Sequence, residues 1–289
     1  MRILERGRDY ISQNKAPLLF IGPSFIGVLI FVLIPFADVL KRSFFTATGV
    51  AFVGVSNYVK VFSNDAFRLA AGNTLKFVLI CIPALVVLSL LLALLVFRVK
   101  YGGDYIRAVF LIPLVIPAAS MVLIWKLFFH DNGLLNELLG NILSGNIPFM
   151  TSAAAFWVLT VSYLWKNIGY DMVLWMGGLS RIPVDIYEAA AIDGAGSAKR
   201  LLYITLPNLV GILFMVVVLS LLNSFKVFRE AYLVAGEYPH TSMYMLQHLF
   251  NNWFTALDIE KLAAGAVVVA FVIFMLIFVW TRLIGENES

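Results

Sequence analysis

Four side chains in the most polar of the apolar stretches share one helical face. Tyr163, Lys166, Asn167 and Tyr170 stand at i, i+3, i+4 and i+7. Hydrogen-bonding groups set between aromatic rings suit a carbohydrate, because hydroxyls take hydrogen bonds and sugar faces stack on rings. Lys166 falls near the middle of its run, where a charge is costly and turns towards protein or water. Asp171 follows it. The same stripe alternatively makes a polar seam between helices, with Lys166 paired to an acid on a partner subunit. Ser220, Asn223 and Ser224 repeat the spacing i, i+3, i+4, and small polar residues so placed can also hold helices together. Nothing points to catalysis. There is no GxxxxGK[ST], HExxH or GxSxG sequence, and His130, His240 and His248 lack metal-ligand spacing. The chain reads as a non-enzyme with no metal and no cofactor of its own, and His240 and His248 read as surface residues.

The elements that must carry these residues are membrane spans. Of 289 residues, 61% are hydrophobic and only 13% charged, whereas a soluble domain carries about a quarter charged residues. A span needs about 20 apolar residues. Six runs qualify, at roughly 16–40, 73–97, 107–129, 153–177, 207–225 and 262–281. The expected fold is therefore all-α, a polytopic membrane protein with six transmembrane helices. Residues 1–15 form an N-terminal tail and 16–289 one transmembrane domain. With both termini inside, the inner segments hold about 11 basic residues in about 60 positions, and the outer loops about 7 in about 90. That bias favours N-in and C-in and puts the loop at about 178–207 in the cytoplasm. The net charge of +4 belongs to these loops, and without a basic stripe it implies no nucleic acid. The lone Cys81 excludes an internal disulfide framework.

Local signals refine the spans. Asn73-Thr74-Leu75 reads as the polar cap of the second. Pro113 and Pro117 should kink the third. Lys226, Arg229 and Glu230 read as the start of the last outer loop, whose Leu246, Leu249, Phe250 and Trp253 make an amphipathic helix. Tyr58, Val59, Val61 and Phe62 suggest a short interfacial helix, and Ala263-Ala264-Gly265-Ala266 suits close helix packing.

The loop between the fourth and fifth spans is the most distinctive stretch. Just before EAAAIDGAGSAKRLLYITLP, which begins at Glu188, Pro183 and Asp185 suit a helix start. Glu188 to Ile192 continues with high helix propensity. Gly194 should take a positive φ and end the helix, and Ser197 can cap a second one.

Glu188, Ala189, Ala190, Asp193, Gly194, Ile204, Leu206 and Pro207 stand in the spacing EAA, three residues, G, nine residues, I, one residue, LP. This pattern resembles the signature loop of permease subunits in binding-protein-dependent ABC importers. Phe52-Val53-Gly54-Val55-Ser56-Asn57-Tyr58 resembles the FVGLxNY segment of the sugar-importer branch. IRAVFLIPLVIP, Gly133 with Asn136, and part of a GGPxxxT segment at Gly236–Thr241 point the same way. The resemblance implies a permease of the maltose, multiple-sugar and glycerol-phosphate type, first-permease branch, in the cell membrane of a prokaryote. It implies that the EAA loop is a coupling helix docked on a cytoplasmic ATPase. The implied partners are a second permease, two ATPase subunits that hold the ATP and Mg, an extracytoplasmic solute-binding protein, and lipid. It also places Tyr163, Lys166, Asn167, Tyr170, Ser220 and Ser224 at sugar-contacting positions, with Asn223 beside them. Lys166 departs from the maltose-type pattern. One lysine without an arginine cluster makes a weak anion site, so a neutral sugar is expected. An anionic solute such as a glycerol phosphate is the alternative, as is a stand-alone secondary transporter or channel using Lys166 and Asp171.

Overall fold

The computed structural model describes residues 15–99, 101–143 and 145–285. The tail expected at 1–15 lies outside the described residues but for its last position. Every regular element among the described residues is helical, apart from a single bridge between Phe45 and Phe52. Four helical stretches are long and apolar enough to cross a membrane: Leu19–Arg42, Asp65–Phe97, Val210–Ala235 and Ile259–Arg282. A bent pair makes a fifth if counted as one span. The fourth expected span corresponds to the helix Ala155–Leu179, which is 25 residues long and is not among these stretches. It is the most polar of the set, and its polar positions are turned into the protein, where 15 of its residues are buried.

The chain divides into two compact units, Met1–Ser63 with Trp253–Val272, and Asn64–Asn252 with Ile273–Ser289. In the first, α1 (Lys15–Val28), a π-helical turn (Leu29–Leu33) and α2 (Ile34–Arg42) follow one another. The most apolar window of this span is 0% buried. Then α3 (Ser56–Ser63) packs back on the preceding turn. Its buried Asn57 donates to the carbonyls of Ser43 and Phe45 at 3.1 and 2.8 Å. The hydroxyls of Tyr58 and Ser43 meet at 2.7 Å. The asparagine and tyrosine of the FVGxxNY stretch thus lock a turn, and the short helix expected there is present.

The second unit is organised around two long helices, α4 (Asp65–Phe97) and α8 (Ala155–Leu179). The cap expected at Asn73-Thr74 is nine residues too late. Asn64 is the cap, its side chain accepting from the Phe67 N–H at 3.0 Å, and Asp65 complements the helix dipole. Asn73 instead donates to the carbonyls of Thr241 and Tyr244, at 2.6 and 2.8 Å. Thr74 accepts from the Leu246 N–H at 3.0 Å. These polar residues tether the segment before a later helix.

The third expected span is broken. After α5 (Gly103–Val115), Ile116 and Pro117 are extended, with ψ of 123° and 145°, and α6 (Ala118–Phe129) leaves at 96°. A residue before proline is driven out of the helical region, so Ile116-Pro117 makes a sharper break than the expected kink. Next, α7 (Leu134–Leu143) is set by Asn136, which donates to the carbonyls of Asp131 and Ile147 and accepts from the Ile147 N–H.

Close approach of α5 to α8 requires Gly169: a Cβ there would sit 1.9 Å from the Phe110 carbonyl oxygen. Trp175 donates to Ser89 at 3.0 Å, joining α8 to α4. After the cytoplasm-assigned loop, α12 (Val210–Ser224) runs through a 3-10 turn (Phe225–Val227) into α13 (Phe228–Ala235). Lys226, Arg229 and Glu230 therefore lie within a continuous helical stretch, not at the start of an outer loop. The amphipathic helix α14 (Leu246–Thr255) and the long α15 (Ile259–Gly285) complete the chain. His248 is fully buried, contrary to the surface position expected of it, and stands edge-on to Phe228 at 4.7 Å. His240 is half-buried and caps the short turn Thr241–Met243.

Candidate functional site

Two features meet the expectations for function, a cavity and a loop. The cavity, of about 390 Å³, opens where the α5–α6 break, α8 and the α12–α13 stretch converge. Residues 114–118 line one wall. The extended backbone of Ile116-Pro117 lines this cavity, a place where a membrane protein tolerates non-helical backbone.

From α8, Tyr163, Lys166 and Asn167 line the opposite wall. The Tyr163 hydroxyl donates to the Ser220 carbonyl at 2.6 Å, and its ring packs edge-on against Phe77. Asn167 donates to the Tyr163 carbonyl at 2.8 Å. The fourth residue of the stripe, Tyr170, is half-buried and is not in the lining. Lys166 is hydrogen-bonded and ion-paired to Glu230, 64 positions away in the same chain. Their side chains are 21% and 7% exposed. The partner is thus an acid of this chain, not one on another subunit. Two buried charges are tolerated when paired in good geometry, and removal of either leaves an uncompensated charge.

The third wall comes from the α12–α13 stretch: Asn223, Lys226, Arg229 and Glu230. Lys226 donates to the Asn223 side-chain oxygen at 2.8 Å. Ser220 and Ser224 lie outside the lining. The Ser220 hydroxyl donates to Asp171 Oδ2 at 2.7 Å, and the Ser224 hydroxyl to the Leu221 carbonyl at 2.6 Å. Here Ser220 ties α8 to α12, the helix-joining use of small polar residues. Asp171 is buried and bonded to Ser220, apart from Lys166.

Among the lining residues that escaped the sequence reading are Trp125, Ser162, Lys226, Arg229 and Glu230. The signal for the acid was available. Asn223, Lys226, Val227 and Glu230 continue one helical face at i, i+3, i+4 and i+7, but the apolar run fails at Phe225 and suggested a loop.

The loop is α9 (Val184–Ile192), α10 (Ser197–Arg200), a π-helical turn (Leu201–Thr205) and α11 (Leu206–Asn208). Pro183 precedes the first helical residue as its cap. Gly194 has φ of +77°. The Ala195 N–H bonds the Ala190 carbonyl at 2.9 Å and the Gly194 N–H bonds the Ala191 carbonyl at 3.1 Å. This is the paired C-terminal motif that a left-handed glycine permits. Gly196, not Ser197, caps the next helix, and Ser197 is its first residue. Tyr187 and Thr205 share a hydrogen bond of 2.9 Å that closes the loop on itself. Glu188, Ala189 and Asp193 are exposed, Ala190 and Leu206 half-buried and Pro207 exposed, while Ile204 packs on the core. Ile192 is 87% and Tyr203 77% exposed, and Val184, Ile186 and Leu202 are exposed with them, so the knob presents apolar surface beside its charges.

A family model described as "Binding-protein-dependent transport system inner membrane component" matches residues 77–285. The chain is 31% identical to a probable ABC transporter permease protein, YurN, of Bacillus subtilis, over 91% of this chain and 94% of the relative. It is 29% identical to AmyD of Thermoanaerobacterium thermosulfurigenes, a probable starch degradation products transport system permease, over 93% and 94%. The fold is similar to a chain in the crystal structure of a bacterial ABC transporter involved in the import of the acidic polysaccharide alginate. The TM-score is 0.83 at 20% identity, covering 98% of this chain and 100% of that one.

Proposed function

The chain belongs to the inner membrane components of binding-protein-dependent transport systems, and on that premise we propose that the solute it passes is a sugar or oligosaccharide crossing through the α5–α6, α8 and α12–α13 cavity. The observation that carries this reading is the lining. The buried rings of Trp125 and Tyr163 back the wall, Asn167 and Asn223 supply amides, and about 390 Å³ is available, within the usual range for small-ligand sites. The relative named for starch degradation products supports the same class.

In this reading six helices cross the membrane, Ala155–Leu179 among them, with both termini in the cytoplasm. The loop from Val184 to Pro207 then faces an ATPase subunit, to which it offers Glu188 and the exposed Ile192 and Tyr203. A second permease covers apolar faces such as Leu19–Arg42, and an external binding protein delivers the solute. ATP binding and hydrolysis occur in the partner, because this chain has no phosphate loop. Movement of the docked loop reaches the cavity through α8 and α12, which flank it.

The test is ATP-dependent accumulation of oligosaccharides by cells carrying the whole importer. Asn167→Leu removes an amide whose donor bonds only its own helix, and Trp125→Phe removes an N–H while keeping a ring. Each should lower uptake roughly tenfold, the scale of one lost hydrogen bond in a desolvated site, with the importer assembled normally. Undiminished uptake by both would remove the cavity as the route.

A further inference from the structure

The charges around the cavity are unbalanced. Lys166, Lys226 and Arg229 line it with a single acid, Glu230, and that acid is taken by Lys166. Lys226 keeps its charge while bonded to a neutral amide. Arg229 is exposed and makes no side-chain hydrogen bond or ion pair among the described residues. A buried donor joins these cations: the Trp125 indole N–H has no partner, although the residue is only 1% exposed. Sequence reasoning favoured a neutral solute because Lys166 stood alone. The structure places an arginine and a second lysine beside it and neutralises Lys166 internally.

We propose that this cavity selects sugars bearing an acidic group, a carboxylate, sulfonate or phosphate, held by Arg229 and Lys226 while the sugar ring occupies the cavity. The inference rests on the sugar reading of the same cavity. Arg229 suits the task because a guanidinium meets a carboxylate or phosphate with two parallel hydrogen bonds. Both side chains are exposed, so they remain hydrated when the cavity is empty. A cleft lined with one sign of charge also concentrates ligands of the other sign. The pair Lys166–Glu230 has a different part. It presents no net charge and holds α8 against α13, which fixes the wall from which Arg229 projects.

The experiment offers cells carrying the whole importer and its binding protein a mixture of uronate oligosaccharides and neutral oligosaccharides of matched length, and identifies by mass what accumulates. Acidic members should be enriched about tenfold or more, the scale of a charge-assisted hydrogen bond. In Arg229→Gln/Lys226→Gln, with the same binding protein, the acidic-to-neutral ratio should fall by a similar factor while the importer still assembles. Accumulation of neutral members alone, or without preference, overturns the acidic inference and leaves the sugar reading standing. A ratio unchanged in the double variant overturns the assignment to these two side chains. Accumulation of neither class removes the sugar reading and the inference with it.

Discussion

The loop from Val184 to Pro207 and the cavity are stabilised by contacts of opposite range. In the loop nearly every defining bond is local. The Ala195 N–H reaches Ala190, Gly194 reaches Ala191, and the longest tie, Tyr187 to Thr205, spans 18 positions. The cavity is closed by Lys166 with Glu230, 64 positions apart, and by Tyr163 with Ser220, 57 apart. Local bonds tolerate damage locally. Bonds between distant helices hold the bundle, so injury to them should spread.

The largest expected effect comes from splitting the ion pair. Lys166→Met takes from buried Glu230 its ion-paired cation, and Glu230→Gln leaves the partly buried Lys166 without its acid. Each single change should cost about 3–5 kcal/mol and lower the yield of monodisperse importer in detergent. Lys166→Met/Glu230→Gln should recover most of that yield, because no naked charge remains. Wild-type yield from both single variants would mean that the pair does not hold α8 to α13.

A second effect separates the regions by pH. His248 is fully buried, and burial pushes its pKa down to about 4. Its Nδ1 accepts the Met245 N–H at 3.3 Å, so protonation would also turn an acceptor into a donor. Since the folded value lies below the ordinary 6.5, the unfolded segment binds more protons between the two, and stability is lost as pH falls from 6.5 to 4. The loss should be on the order of 2–3 kcal/mol at the lower limit. The protection factor of α14 amides, taken relative to intrinsic exchange at each pH, should fall across that window while that of α9 does not. An unchanged protection factor in α14 would contradict the neutral, buried histidine.

Two glycines give smaller, contrasting effects. At Gly169 a Cβ collides with backbone, so Gly169→Ala should separate α5 from α8 at a cost of about 1–3 kcal/mol, as overpacking does. At Gly194 nothing lies within 4 Å, but φ is +77°. Gly194→Val should strain only the turn, by about 1–2 kcal/mol. Thermal unfolding should shift clearly for the first and little for the second, whereas co-purification of the ATPase should fall for the second. Equal melting shifts would erase the distinction between a bundle contact and a loop turn.

The same difference in range explains what could be read in advance. The helix ending at Gly194, its positive φ and the short helix at Ser56–Ser63 follow from neighbours a few residues apart. The stripe Tyr163, Lys166, Asn167 follows from helical periodicity, and these three do line one cavity. Glu230 was missed because hydropathy fails at Phe225 although the helical stretch continues to Ala235; a charge that lines a cavity looks, in sequence, like the end of a span. Asn73 was read as a cap because a polar residue inside a span has no local explanation. Its partners, Thr241 and Tyr244, lie some 170 positions downstream. The burial of His248 is hidden in the same way, because only folding brings Phe228, 20 positions upstream, against its ring.

The claim that joins the two regions is that the loop governs access to the cavity. It can be measured by placing a single cysteine at Asn223 in a Cys81→Ala background and following its modification by a water-soluble thiol reagent in the assembled importer. The rate should differ severalfold between nucleotide-free importer and importer trapped with nucleotide and vanadate, and the difference should vanish when Gly194→Val is added. The same rate in both nucleotide states would contradict the account.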